Sequence, residues 1–368
     1  MSYFKMKKSA FIGPLPPPLG GVAVINQSFQ NIEYNGYEII SFDTAEKKDR
    51  EDIYGKFKLK SIQRNLNINN RLKKFIAKEL PDVINIFITS GMSILRDILF
   101  LKTMHKFNIP IIIHFHSKTK GEFALTPKRL KWLAKYFNKY ASRIILLSDA
   151  HYSFFVKYFG EEKCTVIENF VHYSDFENTI KDKNNDFLFV GRLSKEKGFF
   201  DLLEAIKNLR EKNISCRIQV IGVSPTVEIE NEIKDYVVKH GLENYFVFNG
   251  ATFGEEKYKI YKKSKCLIFP SHFENSPVVL KEAMAAKMAI LSSDIEANEN
   301  VLQNRSNYVS FEKGKPQDLS KKLEELIANP DDVTKMCNSS ATIQEYDVSV
   351  ANKKLTNLFN EIVGLDEK

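Results

Sequence analysis

The chain has 368 residues, 43% apolar and 27% charged, which is enough for roughly two packed domains. No stretch approaches the ~18 continuous apolar residues of a membrane span, and the opening "MSYFKMKKSAFIGPLPPP" has too short an apolar run for a secretory leader. Cys164, Cys216, Cys266 and Cys337 lie far apart, without Cys-x-x-Cys or Cys-His spacing, which argues for reduced thiols in the cytosol and against a structural zinc site.

The charge is uneven. Residues 1–180 carry 27 Lys+Arg and 17 Asp+Glu, a balance of +10; subtraction from the totals of 54 and 46 leaves −2 for residues 181–368. The excess is concentrated in segment 118–143, and it suggests that the first half meets something anionic: lipid headgroups, phosphates or nucleic acid.

Strand-like runs alternate with helical periods along the chain. The first half offers "SAFIG" (9–13), "YEIISF" (37–42), "VINIFIT" (83–89), "PIIIHFH" (110–116), "RIILLS" (143–148) and "CTVIE" (164–168), with helical stretches such as 94–107 between them. Near-continuous apolar strands separated by helices predict a parallel sheet covered on both faces. The pattern pauses at the polar stretch 173–186, the expected linker. It then resumes with "FLFVG" (187–191), "CRIQVIG" (216–222), "YFVFNG" (245–250), "CLIFP" (266–270), "AILSS" (289–293) and "YVSF" (308–311). A last amphipathic helix spans 348–364, with Val350, Leu355, Leu358, Phe359 and Ile362 apolar; it either closes the second domain or crosses back to the first. The fold class is α/β, with two doubly wound parallel-sheet domains in succession.

Ligands of such sheets lie where strands pass into helices at their carboxyl ends. After the strand at 187–191, Gly191, Arg192 and Lys197 precede a helix; the arginine fork and the lysine point charge both suit a diphosphate. After the strand at 266–270, "SHFENSPVVLKEAMAA" places Ser276 as the expected N-cap and Pro277 at the first helical position. The amides of Val278 and Val279 then offer a phosphate seat. Glu282 lies about a turn and a half into that helix, too far for a capping role. Being acceptor-only, its carboxylate suits the two hydroxyls of a ribose. Glu274 precedes the cap, within reach of whatever the phosphates carry.

The pair Glu274 and Glu282 in "ENSPVVLKEAMA" resembles the Glu-seven-residues-Glu signature of retaining glycosyltransferases of the family-4 type, glycosyltransferase group 1, which have the GT-B fold. "VGRLSKEKG" is similar to that family's Gly-Arg-…-Lys-Gly phosphate loop. "GPLPPPLGGVAV" (13–24) is similar to its double-glycine turn, and "IPIIIHFHS" to its fourth-strand histidine. "VIENFV" (166–171) falls where the family has Asn-Gly-Val, with Asn169 kept and Phe170 replacing the glycine. The resemblance runs over essentially the whole chain in order.

It implies a GT-B architecture of two Rossmann-like domains facing a central cleft. An acceptor-side domain would cover 1–175, with the helix of 346–368 packing back on it, and a donor-binding domain 176–345. It implies that Arg192 and Lys197 bind the donor diphosphate, that Glu282 holds the ribose, and that Glu274 contacts the transferred sugar. Gly20 and Gly21 would let the backbone approach the donor closely. His116 would line the sugar side, with His114 two residues earlier as the alternate. Gly191, Asn275 and Ser276 belong to the same donor seat, and backbone groups at Gly250, Ala251 and Thr252 are expected to recognise the base.

Positive charge on the leaving diphosphate stands in for a metal; no Asp-x-Asp is present to seat one, and "KDKNND" (181–186) lies in the expected linker. No metal and no cofactor are expected, since the nucleotide-sugar is a substrate, with a UDP-sugar ahead of GDP-mannose. The acceptor implied is a saccharide or lipid-linked saccharide of a bacterial surface polysaccharide (O-antigen, capsule or exopolysaccharide).

The basic helix region "TPKRLKWLAKYFNKYASR" sets Leu130, Leu133, Ala134 and Phe137 on one face, with Lys128, Lys131, Lys135 and Lys139 around the rest. Two readings stay open: an anionic membrane contact with Trp132 as anchor, at the inner face of the cytoplasmic membrane, or a solvated lysine face on a packed helix. Nucleic acid is not the expected partner. Other classes on this scaffold are a nucleotide-sugar epimerase, which would lack the glutamate pair, and a glucan phosphorylase, which needs a much longer chain. A non-enzymatic membrane or nucleic-acid binding protein would leave the strand-end motifs of the second half unexplained.

Overall fold

The structure, a computed structural model, describes residues 6–16, 20–45, 59–89, 91, 93–119, 124–176, 183–184, 186–302, 305–339 and 344–364. The chain divides into two compact units. One runs to Asn169 and takes the chain back from Val348; the other spans Phe170–Asp347. The division therefore falls upstream of the polar stretch 173–186. Residues Tyr173–Phe176 of that stretch form a short 3-10 turn in the second unit, with Phe176 buried against Tyr258 and Tyr261. Phe176 removes it from the solvated class a linker needs.

In the first unit β1 (Lys7–Gly13), α1 (Gly21–Gln30), β2 (Tyr37–Asp43), α2 (Leu59–Glu79), β3 (Val83–Ile88), α3 (Ser93–His105), β4 (Ile111–Phe115), α4 (Pro127–Tyr140), β5 (Arg143–Leu146), α5 (Asp149–Phe159) and β6 (Cys164–Val166) follow one another. All pairings are parallel, in the order β2-β1-β3-β4-β5-β6. Strands β3 and β4 are buried at every position, as a sheet covered on both faces requires.

The second unit repeats the plan with β7 (Phe187–Val190), α6 (Phe199–Glu211), β8 (Ile218–Ile221), α7 (Val227–Lys239), β9 (Phe246–Phe248), α8 (Gly254–Lys263), β10 (Cys266–Phe269), α9 (Val278–Ala285), β11 (Ala289–Ser293), α10 (Glu296–Leu302), β12 (Tyr308–Phe311), α11 (Pro316–Ala328) and α12 (Pro330–Asn338). Its parallel order is β12-β11-β10-β7-β8-β9. The twelve runs read as strands are all strands: β1 and β2 extend beyond the runs read, β11 and β12 match them, and the rest are up to three residues shorter.

The last helix, α13 (Val348–Val363), belongs to the first unit. Its Phe359 packs against Phe11, Tyr34 and Tyr37, and the Tyr37 hydroxyl donates to Asn360 Oδ1 at 3.0 Å. Of the apolar stripe read in the sequence, Leu355, Leu358 and Phe359 are buried.

Both sheets reverse their strand order once. In the second sheet the reversal lies between β7 and β10, so the loops after those two strands border one crevice. Gly198, capping α6, holds them together. It has φ +68°, and a Cβ there would stand 1.9 Å from the Pro270 carbonyl oxygen at the end of β10. Only glycine meets both the left-handed backbone and that approach.

Candidate active site

The loop after β7 carries Gly191, Arg192 and Lys197. Gly191 donates its N–H to the Ile221 carbonyl at 3.0 Å, and Gly222 donates to the Gly250 carbonyl at 2.8 Å. The ends of β7, β8 and β9 are thus stacked, and a Cβ on Gly222 would stand 1.8 Å from the Gly191 oxygen. Arg192 is exposed. Lys197 is three-quarters buried, and its ammonium donates to Glu274 Oε1 at 2.5 Å. Two residues 77 positions apart are brought together because both loops border the same reversal of strand order.

Helix α9 begins one residue later than its sequence predicts. Pro277 is the N-cap (φ −74°, ψ 100°), and no side chain caps the end. The reason is Lys281: it is fully buried, and its ammonium donates to Ser276 Oγ at 3.3 Å. The Lys281 ammonium also lies 4.0 Å from the centre of the Tyr346 ring. The serine hydroxyl is therefore turned to a buried cation rather than to the helix end. Val278 and Val279 are the first helical residues, so their amides lie among the donors that no carbonyl of the helix can reach.

Glu282 is almost fully buried. Its Oε1 accepts from Lys257 Nζ at 2.5 Å and its Oε2 from the Tyr261 hydroxyl at 2.6 Å. Burial, and then the Glu282 charge, push the Tyr261 hydroxyl well above its ordinary pKa, so it stays a donor. Gly250 has φ +65° with open space beyond its α-carbon. The Thr252 hydroxyl, two residues on from it past Ala251, donates to the Asn249 carbonyl at 2.9 Å. A cavity of about 470 Å³, lined by Asp186, Cys216, Arg217 and Lys265, opens at the opposite edge, by the amino ends of β7, β8 and β10. Open α/β sheets place ligands at the other edge.

In the first unit, Gly20 is the N-cap of α1 and Gly21 its first residue. A Cβ on either would meet nothing within 4 Å. Neither glycine is demanded by packing, and the start of α1 is open. His116 follows β4, two strands across the same sheet edge. It stacks on Phe87, with ring centres 5.5 Å apart, and its Nε2 is covered and without a hydrogen-bond partner. Burial, then the neighbouring His151, hold its pKa down to about 3. His116 is a neutral imidazole near pH 7, available as a hydrogen-bonding group and not as a cation.

His114 is different. It is sunk among Phe29 and Phe87, with Nε2 3.1 Å from Asn85 Oδ1. His151, at about 4 through burial, accepts from the Leu147 amide at Nδ1, so Nε2 carries the proton and donates to the Ser117 carbonyl at 2.9 Å. It thereby fixes the backbone next to His116.

Sequence reading missed Gly222, Lys257, Tyr261, Lys281 and His151, and took Gly198 only as the end of the resembling phosphate loop. The two glycines each follow or precede an expected element boundary, a signal that was present. The other four act through contacts across elements and leave no spacing to read.

Two parallel-sheet units, with their chemistry at strand ends, are the make-up of a GT-B protein. Residues 35–175 match the model of Glycosyltransferase Family 4, and residues 173–342 that of Glycosyl transferases group 1. The chain belongs to the group 1 glycosyltransferases of the family-4 type. It is 24% identical over 328 residues to an uncharacterized glycosyltransferase of Methanocaldococcus jannaschii, covering 85% of this chain and 86% of that one. It is 32% identical over 179 residues to the O-antigen chain mannosyltransferase of Salmonella typhimurium, 48% of each chain. The match to a second M. jannaschii glycosyltransferase spans only 41% of that protein. Among solved structures, Anabaena HepE in complex with UDP-glucose shares the fold at TM-score 0.74 and 15% identity, over 96% of this chain and 99% of that one.

His116 and His151 set a sign for stability against pH. Unfolded histidine titrates near ~6.5, while His116 and His151 titrate near 3 and 4 in the fold. Below ~6.5 the unfolded chain therefore binds more protons, and stability falls with pH. Lowering pH from 7.5 to 5 should cost on the order of 1–2 kcal/mol for each histidine. The denaturant midpoint of the first unit's transition should therefore fall less in His116→Gln than in the wild type; an equal fall would contradict the neutral assignment.

Proposed function

We propose that the protein transfers a sugar from a nucleotide-sugar to a saccharide or lipid-linked saccharide acceptor, with retention at the anomeric carbon and without a metal ion. The observation that carries this reading is the Lys197–Glu274 contact: a cation and a carboxylate meet where the second sheet reverses order, beside the start of α9. A diphosphate there faces Arg192, Lys197 and the amides of Val278 and Val279. These interactions strengthen as the bond between the anomeric carbon and the leaving phosphate oxygen breaks and charge collects on that oxygen. The acceptor hydroxyl oxygen bonds to the anomeric carbon, and its proton is released.

Glu274 contacts the transferred sugar, and Asn275 and Ser276 complete the loop around it. Glu282 holds the ribose, while Gly250, Ala251 and Thr252 turn backbone groups to the base. Gly20 and Gly21 leave the start of α1 open for a substrate, with neutral His116 at the same sheet edge as the residue lining the sugar side. A UDP-sugar is favoured over GDP-mannose, supported by the HepE likeness; the O-antigen relative supports a role in surface polysaccharide assembly.

The acceptor side carries a basic helix face. In α4, Lys128, Arg129, Lys131, Lys135 and Lys139 are exposed with Trp132, while Leu130, Leu133, Ala134 and Phe137 are buried. Trp132 meets Tyr136 edge-on at 5.1 Å, and Lys102 lies over Tyr136 at 5.2 Å. Among the described residues no helix is long and apolar enough to cross a membrane. This aromatic–lysine face is the proposed contact with an anionic membrane that presents the acceptor.

Thermal-shift screening against UDP-, GDP- and ADP-sugars identifies the donor. With that donor, Glu282→Ala should weaken nucleotide binding ~10-fold or more, whereas Glu274→Ala should lower kcat ~100-fold with near-normal binding. Wild-type affinity and activity in both variants would sink the assignment. For the membrane contact, flotation with phosphatidylglycerol vesicles should decline when Lys128, Lys131 and Lys135 become Gln; unchanged flotation removes it.

A further inference from the structure

Glu282 is the residue expected to receive the ribose, yet both its oxygens already have partners. The two partners are not equivalent. Tyr261 is fully buried and holds Oε2 toward the interior. Lys257 keeps 19% of its side chain exposed and holds Oε1. Both project from α8 at positions i and i+4, which share a helix face. The Lys257 ammonium also rests 5.6 Å from the Tyr261 ring centre. Helix α8 starts two residues after Thr252, directly beyond the loop expected at the base.

Any hydroxyl that reaches Oε1 of Glu282 therefore meets Lys257 as well. A carboxylate only accepts and an ammonium only donates, whereas a sugar hydroxyl does both. At a separation of 2.5 Å the pair offers adjacent acceptor and donor sites. A vicinal diol satisfies both: one hydroxyl donates to Oε1, and a diol oxygen accepts from Nζ. The burial of Tyr261 keeps the carboxylate from rotating away.

We propose that Lys257 is a specificity-determining residue for the donor, reading the ribose diol together with Glu282 as one ion pair. This rests on the nucleotide-sugar reading above and names a contact that reading does not require. Lys257 selects ribonucleotides over deoxyribonucleotides, independently of the base.

The test is titration calorimetry with UDP, GDP and ADP, then with the 2′-deoxy and 3′-deoxy forms of the tightest binder. Wild type, Lys257→Met and Lys257→Gln are compared. A charge-assisted hydrogen bond corresponds to ~10-fold or more in affinity. Wild type should prefer the ribonucleotide by at least that factor, Lys257→Met should lose most of the preference, and Lys257→Gln should retain part of it. A lysine that only neutralises Glu282 would weaken ribo and deoxy forms alike and leave their ratio unchanged. An unchanged ratio in a folded Lys257→Met or Lys257→Gln protein overturns the inference, as does a wild type with no preference. Absence of binding by all three nucleotides in wild type would instead overturn the functional reading beneath it.

Discussion

The approach of Gly198 to the Pro270 carbonyl is the contact on which the second unit's candidate site depends. It seats the start of α6 beneath the end of β10, so the loop after β7 and the loop after β10 border a single crevice. Strand order brings the two loops side by side, and this contact sets how closely they approach where Lys197 meets Glu274. The second glycine contact, Gly222 on the Gly191 oxygen, extends the same edge across β8 to β9 and the turn at Gly250. Backbone proximity, and not side-chain packing, shapes the floor of the site.

On that floor the charges are arranged in pairs. Lys197 faces Glu274, and Lys257 faces Glu282, each at 2.5 Å and mostly withdrawn from solvent. Removing one member of such a pair leaves its partner charged and poorly solvated, which is costly. A bound nucleotide-sugar would share both pairs, bringing phosphate to the first and hydroxyls to the second. The same residues would thus be stabilised before binding and be available during it. Lys281 adds a third cation, fully buried beneath the start of α9 and held by Ser276 and the Tyr346 ring.

Much of this was legible in the sequence, for physical reasons. Parallel strands buried on both faces read as apolar runs, so "VINIFI" and "PIIIHFH" declared themselves, and strand-end motifs placed Arg192, Lys197, Glu274 and Glu282 on one edge. The start of the polar stretch 173–186 misled, because Phe176 anchors residues 173–176 in the second unit; residues 177–182 and 185 of that stretch lie outside the described residues. Ser276 misled for a subtler reason: its intrinsic preference for capping is overridden by a buried lysine five residues on. Lys257 and Tyr261 were invisible because their role depends on α8 packing beside α9, which no local period encodes. His116 was singled out by resemblance to a fourth-strand histidine, whereas its neutral state follows from desolvation and could not be read from spacing.

The central claim is that the donor diphosphate sits at the start of α9, at the carboxyl edge of the second sheet. A crystal structure with the nucleoside diphosphate that binds in solution tests it most directly. Phosphate oxygens should then lie within hydrogen-bond distance of Arg192, Lys197 and the Val278 and Val279 amides. A diphosphate at the opposite edge, in the cavity by Asp186, Arg217 and Lys265, would contradict it.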